Sequence, residues 1–454
     1  MEWFYLGLRY MIFSIPMVFA VLIALFGCWM VIATASRATV GAWVVGVAFL
    51  IQTAFVASPS FPFGINVSSD DLAFTLLAAA LIARVLFFEL PPLQTVQGMW
   101  FAFGGIFFIS LGVGLLEYGS SAGVEARSNF YFWMAGLYFA SFVYPPDVLK
   151  KLWSITQWCA WLVVAIVVYR WVGLKLGFVS LQLVELIGAS SEFRVVGSDP
   201  TFFIGIIGVA HFSLWLRYTR QSALVGSLVM LGLAVVLQHR SVWISTLGAL
   251  IVVTWHQRTN LLTKVFPVVG ISVLLVVVIA TSIIFLPSNR LTETLTKSAE
   301  SVGQSRGTDT DRIEGWKILL EDYSRWKPHE WLLGKPYGTG YRRYVTGRIF
   351  EFSPHNFYIQ FLLRLGVIGL MLFLWVHFSL RQQVRTYLSP SLIDPPLKAI
   401  FLATLAANFL YYIPYQGFYL QGVFYGVLIG YLSTLPKSAL GHARTKPSHL
   451  EGGK

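Results

Sequence analysis

The sequence predicts an all-α polytopic membrane protein, with about 12–13 transmembrane helices and one large polar loop that carries short helices. Three observations carry this. Of the 454 residues 56% are hydrophobic and 12% charged, and the mean hydropathy is +0.68; a soluble chain carries about twice that charged share. Apolar runs of roughly 20 residues recur along the chain, too long and continuous for the strands of a barrel. Only one long stretch, 287–353, is rich in Arg, Lys, Asp, Glu, Trp and Tyr.

The apolar spans fall near 11–32, 40–57, 70–88, 98–117, 129–145, 152–174, 201–218, 222–239, 241–256, 265–286, 355–380, 397–413 and 417–434. Between them stand turn-forming connectors: SPSFPFG (58–64), PPLQ (91–94), YPPD (144–147) and PYQG (414–417). The chain divides into an N-terminal bundle (1–286), the large loop (287–354), C-terminal helices (355–434) and a basic tail (435–454). The N-terminus lacks a basic stretch and a cleavage site, so no removed signal peptide is expected. Cys28 and Cys159 both lie in apolar runs and read as buried thiols rather than a disulfide or metal pair.

The net charge is +12. Rossmann, P-loop, zinc-finger and nucleic-acid signatures are absent from the sequence, so the charge reads as topology and no nucleic acid is expected as partner. Lys150 with Lys151, Arg217 with Arg220, Arg258 with Lys264, Arg381 with Arg385, and Lys437, Arg444 and Lys446 of the tail fall on one side. The positive-inside rule makes that side cytoplasmic. Segments 58–69, 118–128, 175–200, 239–240, the large loop and 414–416 then share the opposite side. An odd number of spans puts Met1 outside, unless one span is re-entrant.

The loop has internal order. RIEGWKILLEDYSRW (312–326) places Ile313, Trp316, Leu319, Leu320 and Tyr323 at helical spacing, which predicts an amphipathic helix. GKPYGTG (334–340) follows as a glycine-rich turn; with no preceding strand it argues only weakly for phosphate binding. At Pro354, His355 and Asn356 the chain returns to the membrane.

His355 is the foremost chemical candidate. A neutral imidazole at the opening of a membrane helix can take a proton from a hydroxyl, and free N–H groups there favour an anion. His355-Asn356 reads equally as a polar helix cap. Arg240, in LQHRSVWIS, is either an interfacial arginine or a phosphate ligand, because guanidinium is planar, bidentate and always charged. His239 beside it reads as an interfacial residue. Arg194, in SSEFRVVGSDP, is a third candidate; Asp199-Pro200 after it reads as the start of the next helix. Arg312 is a fourth, with Trp316 one turn later as a sugar-stacking or interface residue. Arg342, Arg343 and Arg348 suit an anionic partner or a solvated face. Arg364 lies about 13 Å along the helix from His355, at a depth where a charge needs a partner, and reads as a structural ion pair. Asp309 and Asp311 form a carboxylate pair, but in a Gly/Thr-rich stretch, so no metal and no cofactor is expected.

These residues resemble the bacterial O-antigen ligase family. His355-Asn356, a spacer from Phe357 to Leu365, and Gly366-Val367-Ile368-Gly369 match its His-Asn…Gly-x-x-Gly pattern on a late helix after a large loop. Arg312 with Trp316, the turn GKPYGTGY ending at Tyr341, Arg194 with Gly197 and Asp199-Pro200, and Arg240 resemble the family's outer positions. One departure is Arg364, where an acidic residue is expected shortly before Gly366. The resemblance implies a multi-spanning, GT-C-like glycosyltransferase in a bacterial inner membrane, working without metal on the periplasmic side. It moves a glycan from undecaprenyl diphosphate to lipid A–core, or, as a polymerase, to a second lipid-linked glycan. His355 would then be the catalytic base, with Arg240, Arg194, Arg312, Asn356, Trp316 and Tyr341 binding substrate. A transporter of lipid-linked sugars is the competing class; it explains the helices and basic residues but not a large loop followed by a helix-opening histidine.

Overall fold

A computed structural model describes residues 22, 24–55, 60–62, 66–90, 94–179, 194–258, 308–345, 347–387 and 395–434. The expected span 265–286, the loop as far as 307, Lys264, and the basic tail lie outside the described residues, as does most of 11–32. The described residues are overwhelmingly helical: α1 Ala24–Ser36, α2 Ala38–Ala54, α3 Ser69–Phe87, α4 Thr95–Tyr118, α5 Ser120–Ala140 and α6 Pro146–Leu176. There follow α7 Ser198–Tyr218, α8 Gln221–Val236, α9 Arg240–His256, α10 Thr308–Ser324, α11 Pro328–Leu333, α12 Phe357–Tyr387, α13 Pro395–Tyr411 and α14 Tyr419–Leu432. Two antiparallel hairpins complete them, β1 Ser60–Pro62 with β2 Asn66–Ser68 and β3 Arg343–Val345 with β4 Arg348–Phe350.

The protein is thus an all-α polytopic membrane protein. Among the described residues, α4, α6, α7 and α12 are each long and apolar enough to cross a bilayer. The bent pair α1–α2, turned by 115°, would make a fifth span. Large apolar side chains such as Phe87, Leu116 and Trp158 remain exposed on the bundle's flank, the surface a bilayer covers. Cys28 is exposed on this flank, against expectation, whereas Cys159 is buried.

Helix α5 is the axis of the packing. From Tyr131 to Ala140 every residue is buried. Gly422, Gly426 and Gly430 of α14 lie against its C-terminal half, where a Cβ would overlap the carbonyls of Phe132, Gly136 and Phe142. This small-residue stripe lets two backbones approach where lipid supplies no hydrophobic drive. Around them Trp100, Phe103, Trp133, Tyr425, Phe361 and Phe373 form one aromatic core. The expected connector 118–128 is instead already helix: α4 and α5 are separated by Gly119 alone, at φ 60°.

The predicted grouping of the connectors holds in the described part. The starts of α3, α5, α7 and α9, the α10–β4 segment and the α13–α14 turn meet at one end of the bundle. Lys150, Arg385 and Lys398 stand at the other, where Lys398 Nζ donates to the Arg385 carbonyl.

Helix α12 departs from the continuous span expected. It begins at Phe357 rather than His355 and is broken at Gly366 (φ 65°, ψ −170°). At the break α11 crosses it so closely that a Cβ on Gly366 would collide with the Leu332 carbonyl. An apolar run with a glycine in it does not distinguish a break from a helix, so periodicity missed it. Gly366→Ala should therefore cost about 3 kcal/mol or more, from left-handed strain plus backbone overlap. Thermal unfolding of the purified variant checks this; an unchanged midpoint would show that α11 can move away.

Candidate active site

The site is built on the chain that leads into α12. Phe357 is fully buried, with its ring against Phe361, Tyr412 and Phe132. Its N–H donates to the carbonyls of Tyr412 (2.9 Å) and Tyr415 (3.1 Å), which ties the start of α12 to the α13–α14 turn. Asn356 Oδ1 accepts from the Ile359 N–H at 3.0 Å. Asn356 is therefore the N-cap of α12, buried and with its Oδ1 engaged. His355, one residue earlier, is held at φ 48°, in the left-handed region that non-glycine residues rarely occupy. Such strain persists only where the surroundings over-determine it. Here the Trp316 Nε1–H donates to the Pro354 carbonyl at 2.6 Å, fixing α10 to the turn. Phe352 packs its ring 5.3 Å from the imidazole. Trp316 is thus a positioning group in this structure.

Helix α10 has a narrower buried face than its sequence suggests. Leu319 and Tyr323 are buried with Tyr341, Ile359 and Leu363, and Trp316 packs at the edge. Ile313 and Leu320 are exposed. The face is narrow because α10 lies on the loop hairpin and the start of α12, not within the bundle.

Arg194, Arg240 and Arg312 form one cluster, which Arg312 joins to His355. Arg312, in the first turn of α10, sets its guanidinium 5.4 Å from the centre of the Tyr415 ring and reaches the Pro414 carbonyl at 3.4 Å. Arg194 Nη2 donates to the Gln238 carbonyl at 2.8 Å. Val195 and Val196 beside it are buried, and their carbonyls accept from Arg170 and His239. His239 is therefore a buried clamp on this segment, not the interfacial residue expected. Arg240 opens α9, where the helix dipole already favours an anion. Burial holds the Arg194 guanidinium below its ordinary range, and the charges of Arg240 and Arg312 add to this. Burial also pushes the His355 imidazole down to about 4, helped by Arg312 and Arg343. Arg194 thus stands with Arg240 and Arg312, and Arg312 with Arg343 stands beside His355, a cationic cluster suited to an anion.

Arg343 belongs here too; its sequence pattern set it with Arg342 and Arg348 as suited to an anionic partner or a solvated face. Those two are exposed, whereas Arg343 is buried and donates to the carbonyls of Tyr341 (3.0 Å) and Phe352 (2.9 Å). The alternation Tyr341 in, Arg342 out, Arg343 in was legible as a strand signal, but over very few residues.

Tyr341 joins Arg343 through its carbonyl and Arg364 through its ring. It is 3% exposed, and the Arg364 guanidinium lies 4.2 Å from the centre of its ring. The glycine turn is likewise occupied from within: Gly338 and Gly340 N–H both donate to Glu125 Oε2, at 3.0 and 2.9 Å. Those donors hold a carboxylate of α5, not a phosphate. Glu125 also pairs with Arg364, which donates further to the Gly340 carbonyl. Arg364 is the buried ion pair expected, and Glu125 is the partner the sequence did not reveal. Asp199 is half-buried at the start of α7, where it accepts from Tyr411 OH at 2.7 Å. Among the described residues no group of three His, Cys, Asp or Glu side chains is placed to hold a metal.

Fold and site together define a multi-pass membrane protein with a histidine and a cluster of arginines at one end of its bundle. Residues 225–374, about a third of the chain, match the family model described as O-antigen ligase. The matched segment contains Arg240, Arg312, His355 and the Gly366-x-x-Gly369 pattern; Arg194 precedes it. The O-antigen ligase resemblance is thereby borne out over this segment, and with it a membrane function of the ligase or polymerase type. A search of curated proteins gives no match.

Proposed function

We propose that the protein transfers a glycan from undecaprenyl diphosphate to a hydroxyl of an acceptor, at the periplasmic face of a bacterial inner membrane. The observation that carries this is the cluster of Arg194, Arg240 and Arg312, whose Arg312 stands beside His355. In the step envisaged, His355 takes the proton of the acceptor hydroxyl, and the oxygen bonds to the anomeric carbon. The bond from that carbon to the diphosphate oxygen breaks. The diphosphate departs with its added charge stabilised by the arginines, preorganised donors of the kind that lower such barriers most. Lipid A–core is the acceptor favoured, which makes the protein a ligase; a second lipid-linked glycan would make it a polymerase.

Purified protein, a polyprenyl-diphosphate glycan and an acceptor test the reading. A covalent product supports it; translocation across vesicles without product would make the protein a transporter instead. In a null strain, lipid A–core without polymer, and polymer stranded on its carrier, mark a ligase. Loss of only a secreted polysaccharide marks a polymerase.

The pH profile follows from the same geometry. His355 must be unprotonated to act, and in the free protein it stays so down to pH about 4. The acid limb of kcat/KM should therefore lie near there, with the rate falling as pH falls. A bound diphosphate offsets Arg312 and Arg343, which raises the imidazole towards its ordinary value. The acid limb of kcat should accordingly sit at higher pH than that of kcat/KM. Coincident limbs would mean that the donor does not bind beside His355.

A further inference from the structure

A second cavity of about 1210 Å³ adjoins the turn that carries His355. Phe352 and Ser353 form part of its wall, and Phe352 is the residue whose ring meets the imidazole. The rest comes from Gln52 of α2, the starts of α3, α5 and α7, the glycine turn with Tyr341 and Arg342, Glu351, and the 416–419 segment. None of Arg194, Arg240 and Arg312 is among the described residues that line it. The lining is of another chemistry: serine and tyrosine hydroxyls, the amides of Gln52 and Gln416, and the aromatic faces of Phe352, Phe418 and Tyr419.

Its charges are arranged against a phosphate. Glu125 is matched by Arg364 and Arg127 by Asp71; of the other wall charges, the carboxylates of Asp70, Asp199 and Glu351 outnumber Arg342. Arg127 is held by Asp71 and Tyr131, and the Gly338 and Gly340 N–H groups are held by Glu125. These donors are thus engaged, and the excess of carboxylates repels a phosphate. Hydroxyls meet different treatment: carboxylates and amides accept their hydrogen bonds, and aromatic faces cover the apolar side of a sugar ring. The volume exceeds the usual range of about 300–1,000 Å³ for a drug-sized ligand, which leaves space for an oligosaccharide.

We propose that this cavity seats the saccharide that presents the accepting hydroxyl to His355, and that it selects sugar units free of phosphate. The proposal rests on the glycan-transfer reading. It divides the labour spatially: the donor diphosphate lies among the arginines, the acceptor sugar lies beyond Phe352, and His355 lies between.

Binding of lipopolysaccharide core oligosaccharide to the full-length protein in nanodiscs tests it, the probe being used before and after enzymatic removal of its phosphates. The dephosphorylated form should bind roughly tenfold more tightly. Glu351 is exposed, so Glu351→Lys should leave the fold intact and bring the two forms within about threefold of each other. Ser121, exposed on the α5 wall, should abolish binding of both forms when replaced by tryptophan. Tighter binding of the phosphorylated form, no binding of either form to the native protein, or indifference to Ser121→Trp would each overturn the proposal. Binding is read without turnover, so the two readings fail separately. The predicted binding order with no transfer removes the transfer reading alone, and transfer with the reverse binding order removes this one alone.

Discussion

Replacing His355 with asparagine should lower the rate of glycan transfer by roughly 10²–10⁴, the usual contribution of a positioned general base. Asparagine is the informative substitution because of the backbone. At φ 48° an alanine would add strain, whereas asparagine tolerates the left-handed region and keeps a polar side chain. The variant should therefore fold and insert normally, with an unchanged unfolding midpoint. It should still bind the donor, since Arg194, Arg240 and Arg312 are untouched. The loss should thus appear in kcat with little change in KM, the signature of a group that acts in the transition state. Transfer within tenfold of the native rate would remove His355 as the base, and the strained turn would then need a structural explanation.

The sequence revealed the fold where one physical signal dominated. The apolar runs at 201–218, 222–239 and 241–256 became α7, α8 and α9 with ends displaced by a few residues, because length and hydropathy alone decide such spans. Arg240 was legible as a candidate because it stands between two apolar runs, and Arg194 and Arg312 because they lie in the outer connector 175–200 and the large polar loop. That they meet was not legible. Their convergence depends on α9 packing against α13, and on the α13–α14 turn receiving both Arg312 and the Phe357 N–H. The roles of neighbouring residues were illegible for a related reason. Asn356 and Trp316 are the right residue types for contact with a sugar, but Asn356 Oδ1 caps α12 and Trp316 donates to the Pro354 carbonyl of the turn. Arg342 and Arg343 are adjacent and identical in type, and only the inward turn of the short β3 strand separates a surface charge from one beneath the site. Glu125 gave no signal at all, since its partner lies 239 residues away.

That partnership sets the largest effect expected on stability. Arg364→Leu should destabilise the protein by about 3–5 kcal/mol, the cost of stranding the other half of a buried ion pair. Glu125 and Arg364 have side chains only 11% and 2% exposed, so solvent cannot replace the lost charge. The damage should spread to the loop, because Glu125 Oε2 holds the Gly338 and Gly340 N–H groups and Arg364 holds the Gly340 carbonyl. Nearby, the Lys335 N–H donates to the Leu363 carbonyl at 2.9 Å, so the glycine turn and the first part of α12 move as one piece. Arg364→Lys should rescue little, since an ammonium is a point charge and cannot serve both Glu125 and the Gly340 carbonyl as a fork does. Glu125→Gln should cost less than Arg364→Leu, because the amide oxygen still accepts from the glycine N–H groups. A double-mutant cycle separates pairing from bulk: the double variant Glu125→Gln with Arg364→Leu should be clearly more stable than the sum of the single losses predicts. Additive losses would show that the two side chains stabilise the loop independently. The departure from the family's pattern at Arg364 would then have a cause other than the carboxylate on α5.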